Sequence, residues 1–267
     1  MARSALLNVM VNAVLKAGRG LSRDFGEVEN LQVSLKGPGN FVSAADRKAE
    51  SILVDELRKA RPGYSFLTEE TGEIAGTDKT HRWIIDPLDG TTNFLHGIPI
   101  FAVSLALERE GQLVAGVIYN PILNELYTTE HGSGAFLNDR RLRVAGRRTL
   151  ADTVVATGAP NIGGSNDARR RFVGEFDALM GKTSGVRRCG SAAMDLAWVA
   201  SGRFDGFWER GLSPWDIAAG ILLVREAGGR VTGTGGKDDM LETGNIVAGN
   251  ETIHGALLAS LGAVSAG

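Results

Sequence analysis

The residues best suited to chemistry lie in one run, Trp83-Ile84-Ile85-Asp86-Pro87-Leu88-Asp89-Gly90-Thr91-Thr92-Asn93-Phe94. An apolar strand ends at Asp86, Pro87 keeps Asp86 extended, and Asp89-Gly90 is a turn pair. Two carboxylates three residues apart are therefore folded back over one tight turn. They present hard oxygen ligands to a common point, as Mg²⁺ requires, and the carbonyl of Leu88 is placed to add another. Thr91 or Thr92 caps a short helix beginning at Asn93, which makes the amides of Gly90, Thr91 and Thr92 an anion-binding nest beside the acids. Either dipeptide alone, Asp86-Pro87 or Asp89-Gly90, reads as an ordinary turn. Both together, directly behind an apolar strand, exceed what a turn needs.

A metal site for phosphate needs more acidic ligands, and two other stretches offer them. Glu69-Glu70 follows the apolar run Tyr64-Ser65-Phe66-Leu67, so one glutamate can point inward while the other is solvated. In Ser213-Pro214-Trp215-Asp216, Ser213 suits an N-cap and Pro214 the first helical position. Asp216 then falls in the first turn, where the helix dipole helps hold it ionised.

These stretches, in this order, resemble the inositol monophosphatase family of lithium-sensitive, Mg²⁺-dependent phosphatases: Glu69-Glu70, the Asp86–Phe94 motif, and Trp215-Asp216-Ile217-Ala218-Ala219-Gly220. Asp46 in Phe41-Val42-Ser43-Ala44-Ala45-Asp46 and the run Glu209-Arg210-Gly211-Leu212 match the same pattern, and the similarity runs from about Leu6 to Ala259. The nine-residue Asp86–Phe94 motif is the specific part; Glu69-Glu70 and Asp46 carry little without it. The resemblance implies a layered α/β fold, a five-layered αβαβα sandwich, usually as a homodimer. It also implies one domain over residues 1–267, with an N-terminal half of about 1–148 and a C-terminal half of about 149–267.

Carried over by position, the resemblance assigns Glu69, Asp86 and the Leu88 carbonyl to a first Mg²⁺. Asp86 bridges to a second held by Asp89 and Asp216, and a third, weaker ion lies near Glu69. Paired divalent ions suit phosphate ester hydrolysis, because one acidifies water and the other neutralises the departing alkoxide. Thr91 would hold the attacking water and Asp46 would orient Thr91, with Glu69, Asp46 and Thr91 as the catalytic group. The Gly90 and Thr91 amides would hold phosphoryl oxygens. Substrate hydroxyls would meet Asp89, Glu209, Asp216 and the Gly190-Ser191-Ala192 segment, where Ser191 stands at a position often occupied by threonine. The expected substrate is myo-inositol 1-phosphate or a related polyol phosphate; the alternatives are fructose 1,6-bisphosphate, histidinol phosphate and 3′-phosphoadenosine 5′-phosphate. A different class of reading is a binding partner in transcription or RNA processing with secondary phosphatase activity. Arg140-Arg141, Arg147-Arg148 and Arg187-Arg188 could supply its basic patch, although a net charge of −2 gives that no support.

The elements that must position these residues are legible as pattern. Leu7, Val11, Val14 and Leu21 oppose a polar stripe of Asn8, Asn12, Lys16, Arg19 and Arg23, which predicts an amphipathic first helix rather than a secretory signal. A second helix is expected over Ala44 to Lys59, capped by Ser43. Strands then follow at Trp83-Ile85, Ala102 to Leu107, Leu113 to Tyr119 and Leu126 to Thr129, as a sequential antiparallel sheet. Beyond a polar break at 145–155, strands at Val154-Ala156, Phe204 to Trp208, Val231 and Ile246 to Ala248 alternate with helices over Asp167 to Met180, Ser191 to Ser201, Pro214 to Glu226 and from Asn250 onward. Asp205, Arg210 and the Arg169-Arg170-Arg171 helix face with Glu175 read as surface.

The remaining composition excludes other classes. With 43% hydrophobic and 22% charged residues the chain is globular rather than disordered. The apolar stretch from Trp83 to Leu107 contains Asp86, Asp89, His96, Pro87 and Pro99 and so cannot span a bilayer. Four scattered histidines argue against zinc. The single Cys189 points to a reducing, cytoplasmic setting, and its thiol reads as unreactive despite Arg187-Arg188.

Overall fold

The computed structural model describes residues 3–26, 33–37, 40–160 and 163–265. The chain opens with α1 (Ala5–Phe25), a hairpin of β1 (Val33–Gly37) and β2 (Asn40–Ser43), and α2 (Ala44–Ala60). A run of short strands follows: β3 (Ser65–Thr68), β4 (Gly72–Ile74), β5 (His81–Asp89), then α3 (Thr91–Leu95), β6 (Ala102–Arg109), β7 (Gln112–Asn120), β8 (Glu125–Glu130), β9 (Gly134–Leu137) and β10 (Arg140–Arg141). The second half comprises β11 (Val154–Thr157), α4 (Asn166–Met180), β12 (Gly185–Arg187), α5 (Ala192–Ala200), β13 (Gly206–Glu209) and α6 (Pro214–Glu226). It ends with β14 (Arg230–Thr232), α7 (Met240–Thr243), β15 (Ile246–Gly249) and α8 (Glu251–Ser265).

Burial alternation sorts these elements into five layers. On α1 the predicted polar stripe is exposed while Leu7, Val11, Val14 and Leu21 are buried, and the Ser4 hydroxyl caps the helix by accepting from the Leu7 amide at 3.0 Å. This apolar face, with Leu53 and Leu57 of α2, packs on Trp83, Ile85 and Leu88 of the first sheet. Ile84, one residue out of phase, faces the opposite way, toward α5 and α6. The same alternation recurs in the second sheet. Ala156, Phe207 and Ala248 meet the α5–α6 layer, while Val155, Trp208 and Val247 meet Leu179 of α4 and Ile253 and Leu257 of α8. The order of layers is α1–α2, first sheet, α5–α6, second sheet, α4–α8, an αβαβα sandwich as the resemblance implies.

The first sheet has eight strands in the order β10-β9-β8-β7-β6-β5-β3-β4. It is antiparallel from β5 to β10, as expected, but β3 lies parallel to β5, a pairing the sequence pattern does not reveal. The second sheet is mixed, with β11 parallel to both β12 and β13 and β15 antiparallel to β13 and β14. The predicted strand ending at Asp86 instead continues to Asp89. The Asp86–Asp89 step of β5 opposes only Ser104 to Ala102 of β6, so one extra residue bulges there. Pro87 sits in that bulge, where no ladder amide is required of it.

The polar break between the halves is fastened from within. Asp205 is 1% exposed and accepts from Arg147 at 3.0 Å and from the Val154 amide at 2.9 Å, which corrects its reading as a surface residue. The Asn250 amide group adds bonds to the carbonyls of Ala145 and Arg147. Among the described residues no helix is long and apolar enough to cross a membrane.

Candidate active site

The bulge in β5 decides which way the acids point. Residues three apart on a regular strand face opposite sides; one extra residue restores Asp89 to the side of Asp86, the side facing α6, and leaves Leu88 in the α1–α2 core. The carboxylate of Asp86, 1% exposed, is fixed by its own turn, with the Leu88 amide donating to Oδ1 at 2.9 Å. The Leu88 carbonyl accepts the Thr91 hydroxyl at 3.0 Å. Thr91 is the first residue of α3 rather than its cap. The cap is Gly90, whose φ of 95° is left-handed and whose added Cβ would lie 2.9 Å from the Ile100 carbonyl oxygen and 3.3 Å from that of Gly190.

The second half closes on this loop at three points. Asp89 accepts from the Ser191 hydroxyl at 2.6 Å and from the Ala193 amide at 2.7 Å, at the N-terminus of α5. Asn93 donates to the carbonyls of Ile100 and Cys189, each at 2.7 Å, and sequence reasoning missed the second because it joins stretches nearly a hundred residues apart. Asp216 is in the first turn of α6 as predicted, and its Oδ2 accepts from the Ser213 amide at 2.7 Å, half of a capping box with Ser213.

Asp86, Asp89 and Asp216 thereby bring carboxylate oxygens within 4.8 Å of one another. A second set at the same spacing joins Asp46, buried in the first turn of α2, to Glu69 and Glu70 in the β3–β4 turn. Glu69 faces both sets: it lines the cavity with Asp86, and its charge is the foremost of those acting on Asp86. Burial first, then these neighbouring carboxylates, push Asp86 well above the usual carboxylate range. Burial and Asp89 raise Asp216 to about 8. Burial raises Asp89 to about 6, against the bonds from Ser191 and Ala193. Acids held together against their own repulsion, with oxygen atoms alone as donors, are a donor set that fits a hard divalent cation.

A cavity of about 720 Å³ opens beside these acids, walled by Glu69, Asp86, Asp89, Gly90 and Thr91 from one half and by Ser191, Ala192, Glu209 and Asp216 from the other. Every predicted site residue lines it except Asp46, which reaches the site through Glu69 and Glu70. Glu209 lies against the Gly158 backbone, where an added Cβ would fall 1.7 Å from Oε1, and its carboxyl is raised by burial first and then by Asp195, Asp216 and Asp89. Arg171, Arg188 and Arg210 also line the cavity. Arg210 is not the surface residue expected: it pairs with Glu175, itself 1% exposed, at 2.7 Å and donates to Thr234 at 2.7 Å. Cys189 is half-buried and its thiol is pushed up to about 12, because burial and Asp195 outweigh the neighbouring arginines.

A five-layered sandwich that gathers acidic oxygens and backbone amides at the seam between its halves defines the class of fold and site. The chain belongs to the inositol monophosphatase family, a family of phosphatases, whose model matches residues 2–266. It is 68% identical over 258 residues to an inositol-1-monophosphatase of Mesorhizobium japonicum, covering 97% of this chain and 96% of that protein. It is 46% identical over 257 residues to the Nus factor SuhB of Escherichia coli K12, covering 96% of this chain and 95% of that protein. Among solved structures, the extragenic suppressor protein suhB of Bartonella henselae superposes with a TM-score of 0.94 at 60% identity, covering 97% of this chain and 98% of that one.

Proposed function

We propose that this protein is a Mg²⁺-dependent phosphatase that hydrolyses myo-inositol 1-phosphate, or a related polyol phosphate monoester, to the free alcohol and phosphate. The observation that carries the reading is the meeting of Asp86, Asp89 and Asp216 from the two halves within 4.8 Å, beside a cavity of about 720 Å³ walled by polar groups. In this reading Glu69, Asp86 and the Leu88 carbonyl, together with Asp89 and Asp216, would hold two or three ions. When bound, Mg²⁺ supplies Lewis acidity and charge neutralisation to the phosphoryl group and its leaving oxygen.

The chain's own groups then divide the remaining work. The Thr91 hydroxyl proton is engaged by the Leu88 carbonyl, which leaves the Thr91 oxygen to accept a hydrogen bond from an attacking water. The amides of Gly90 and Thr91 hold phosphoryl oxygens, and Asp46 braces the Glu69–Glu70 turn and Thr91 from α2. Glu209, Ser191, Ala192 and Asp89 face the polyol hydroxyls. The remaining parts of the reading are lithium sensitivity, a homodimer, a single domain with a seam near residue 148, and a reducing cytoplasmic setting.

Phosphate release measured with Mg²⁺ on inositol 1-phosphate, fructose 1,6-bisphosphate, histidinol phosphate and 3′-phosphoadenosine 5′-phosphate tests the substrate. Inositol 1-phosphate is expected to give the highest kcat/KM, and equal or better turnover of a rival replaces it. The likeness to a Nus factor favours a second reading, a binding role in transcription. Rescue of an Escherichia coli strain lacking SuhB by the Asp86→Asn variant supports that role, and failure of that variant where the unaltered chain succeeds supports catalysis.

A further inference from the structure

Glu50 is an acid that no step above uses. It sits on α2 one turn beyond Asp46 and is 3% exposed, in a place where an apolar side chain would be the ordinary occupant. Its two oxygens point at one short stretch of chain. Oε2 accepts from the Glu70 amide at 2.8 Å, and Oε1 accepts from the Thr71 hydroxyl at 2.5 Å. That stretch is the turn from β3 to β4 that carries Glu69. On its other side the Glu69 amide donates to the Ile85 carbonyl at 3.2 Å, one residue before Asp86. The Glu69 backbone is thus clamped between β5, which carries Asp86, and α2, which carries Asp46. A buried carboxylate is costly unless its acceptors are filled, and both acceptors here are filled by the turn.

We propose that Glu50 is a positioning residue for the cation site: it sets the height of Glu69 relative to Asp86 and Asp46, and so the affinity for the divalent ion, without touching ion or substrate. The inference rests on the divalent-cation reading of the site. A ligand must be held to within about 0.5 Å of its working position, and a turn of three residues anchored from one side only does not meet that demand. Glu50→Gln keeps an oxygen for the Glu70 amide and an NH₂ group for the Thr71 oxygen. Glu50→Ala keeps neither.

The test is calorimetric titration of the full chain with Mg²⁺ in the absence of substrate, alongside melting curves in EDTA. Glu50→Ala is expected to weaken Mg²⁺ binding tenfold or more, Thr71→Val about threefold, and Glu50→Gln less than threefold. Val54→Ala, one turn further along α2 and outside the clamp, serves as the control for a general loosening of the helix. It is expected to lower the melting temperature and leave Mg²⁺ affinity unchanged. Unchanged affinity in Glu50→Ala overturns the proposal, as does a loss in Glu50→Gln equal to that in Glu50→Ala, or a loss in Val54→Ala as large. Should Glu50→Ala fail to fold, unchanged affinity in Thr71→Val overturns it on its own. If the unaltered chain binds no Mg²⁺, the cation reading of the site fails first, which separates that failure from this one.

Discussion

Asp86 and Asp216 meet across the seam, yet the two halves hold them by different means. Asp86 stands inside a strand paired on both sides, almost wholly withdrawn from solvent, with the amide of its own bulge as partner. Asp216 stands in the first turn of a helix, half-buried, doing a second job as part of the capping box. The strand provides a fixed, strongly desolvated acid, and the helix provides one whose position is tied to where α6 begins. A cation held between them, as the proposed function requires, would join the first sheet to the middle helical layer.

This contrast is broken or sharpened by substitution. Asp86→Asn and Asp216→Asn are both expected to lower kcat/KM by at least about 10²–10³-fold, the order of losing one charge-stabilising group. Their melting temperatures in EDTA are expected to diverge. Asp86→Asn gains stability by removing a buried, repelled acid, while Asp216→Asn gains less because it also weakens a helix cap. Equal gains break the comparison. Thr91→Ala is expected to cost roughly 10²-fold in kcat with little change in KM, and Thr91→Ser to recover most of it. Ser191→Ala removes a bond to Asp89 and is expected to reduce kcat/KM about tenfold, the size of one hydrogen bond to a charged group.

The pH dependence of the metal-free protein follows from the same crowding. Asp89 at about 6 and Asp216 at about 8 bind protons more tightly in the folded chain than in the unfolded one. Their contribution to stability is full below about pH 4, the unfolded carboxylate range, and is lost as pH rises through about 6 and then about 8. Melting in EDTA should therefore fall across that window, and saturating Mg²⁺ should flatten the curve. A melting temperature that rises from pH 5 to 8 in EDTA contradicts the assignment.

What could be read from the sequence is what is local. The Asp86–Phe94 run, the Ser213-Pro214-Trp215-Asp216 helix start and the two faces of α1 each announce themselves through neighbours within a turn or two of chain. The parallel alignment of β3 with β5 could not be read, since it pairs stretches whose register depends on everything packed around them. Pro87 signalled a strand end and is instead absorbed by a bulge, which only the partner strand defines. Glu175, Asp205 and Arg210 carry charge and so suggested solvent, and Glu50 gave no signal at all; the amides, hydroxyl and guanidinium groups that justify their burial arrive from remote positions. The alternation of elements pointed to two sheets with helices between and outside them, and the five-layered αβαβα order came through the family resemblance.

The surplus residue in β5 makes the spacing between the two loop aspartates a matter of odd and even. Adding one residue between them, with the bulge kept at a single residue, would still let β5 and β6 pair on either side of it, and the sheet would survive. Asp89 would then swing through the sheet and be driven among the side chains of α1 and α2. Over this segment the count of residues matters as much as their kind, and an otherwise folded chain would be silenced by the gain of a single peptide unit.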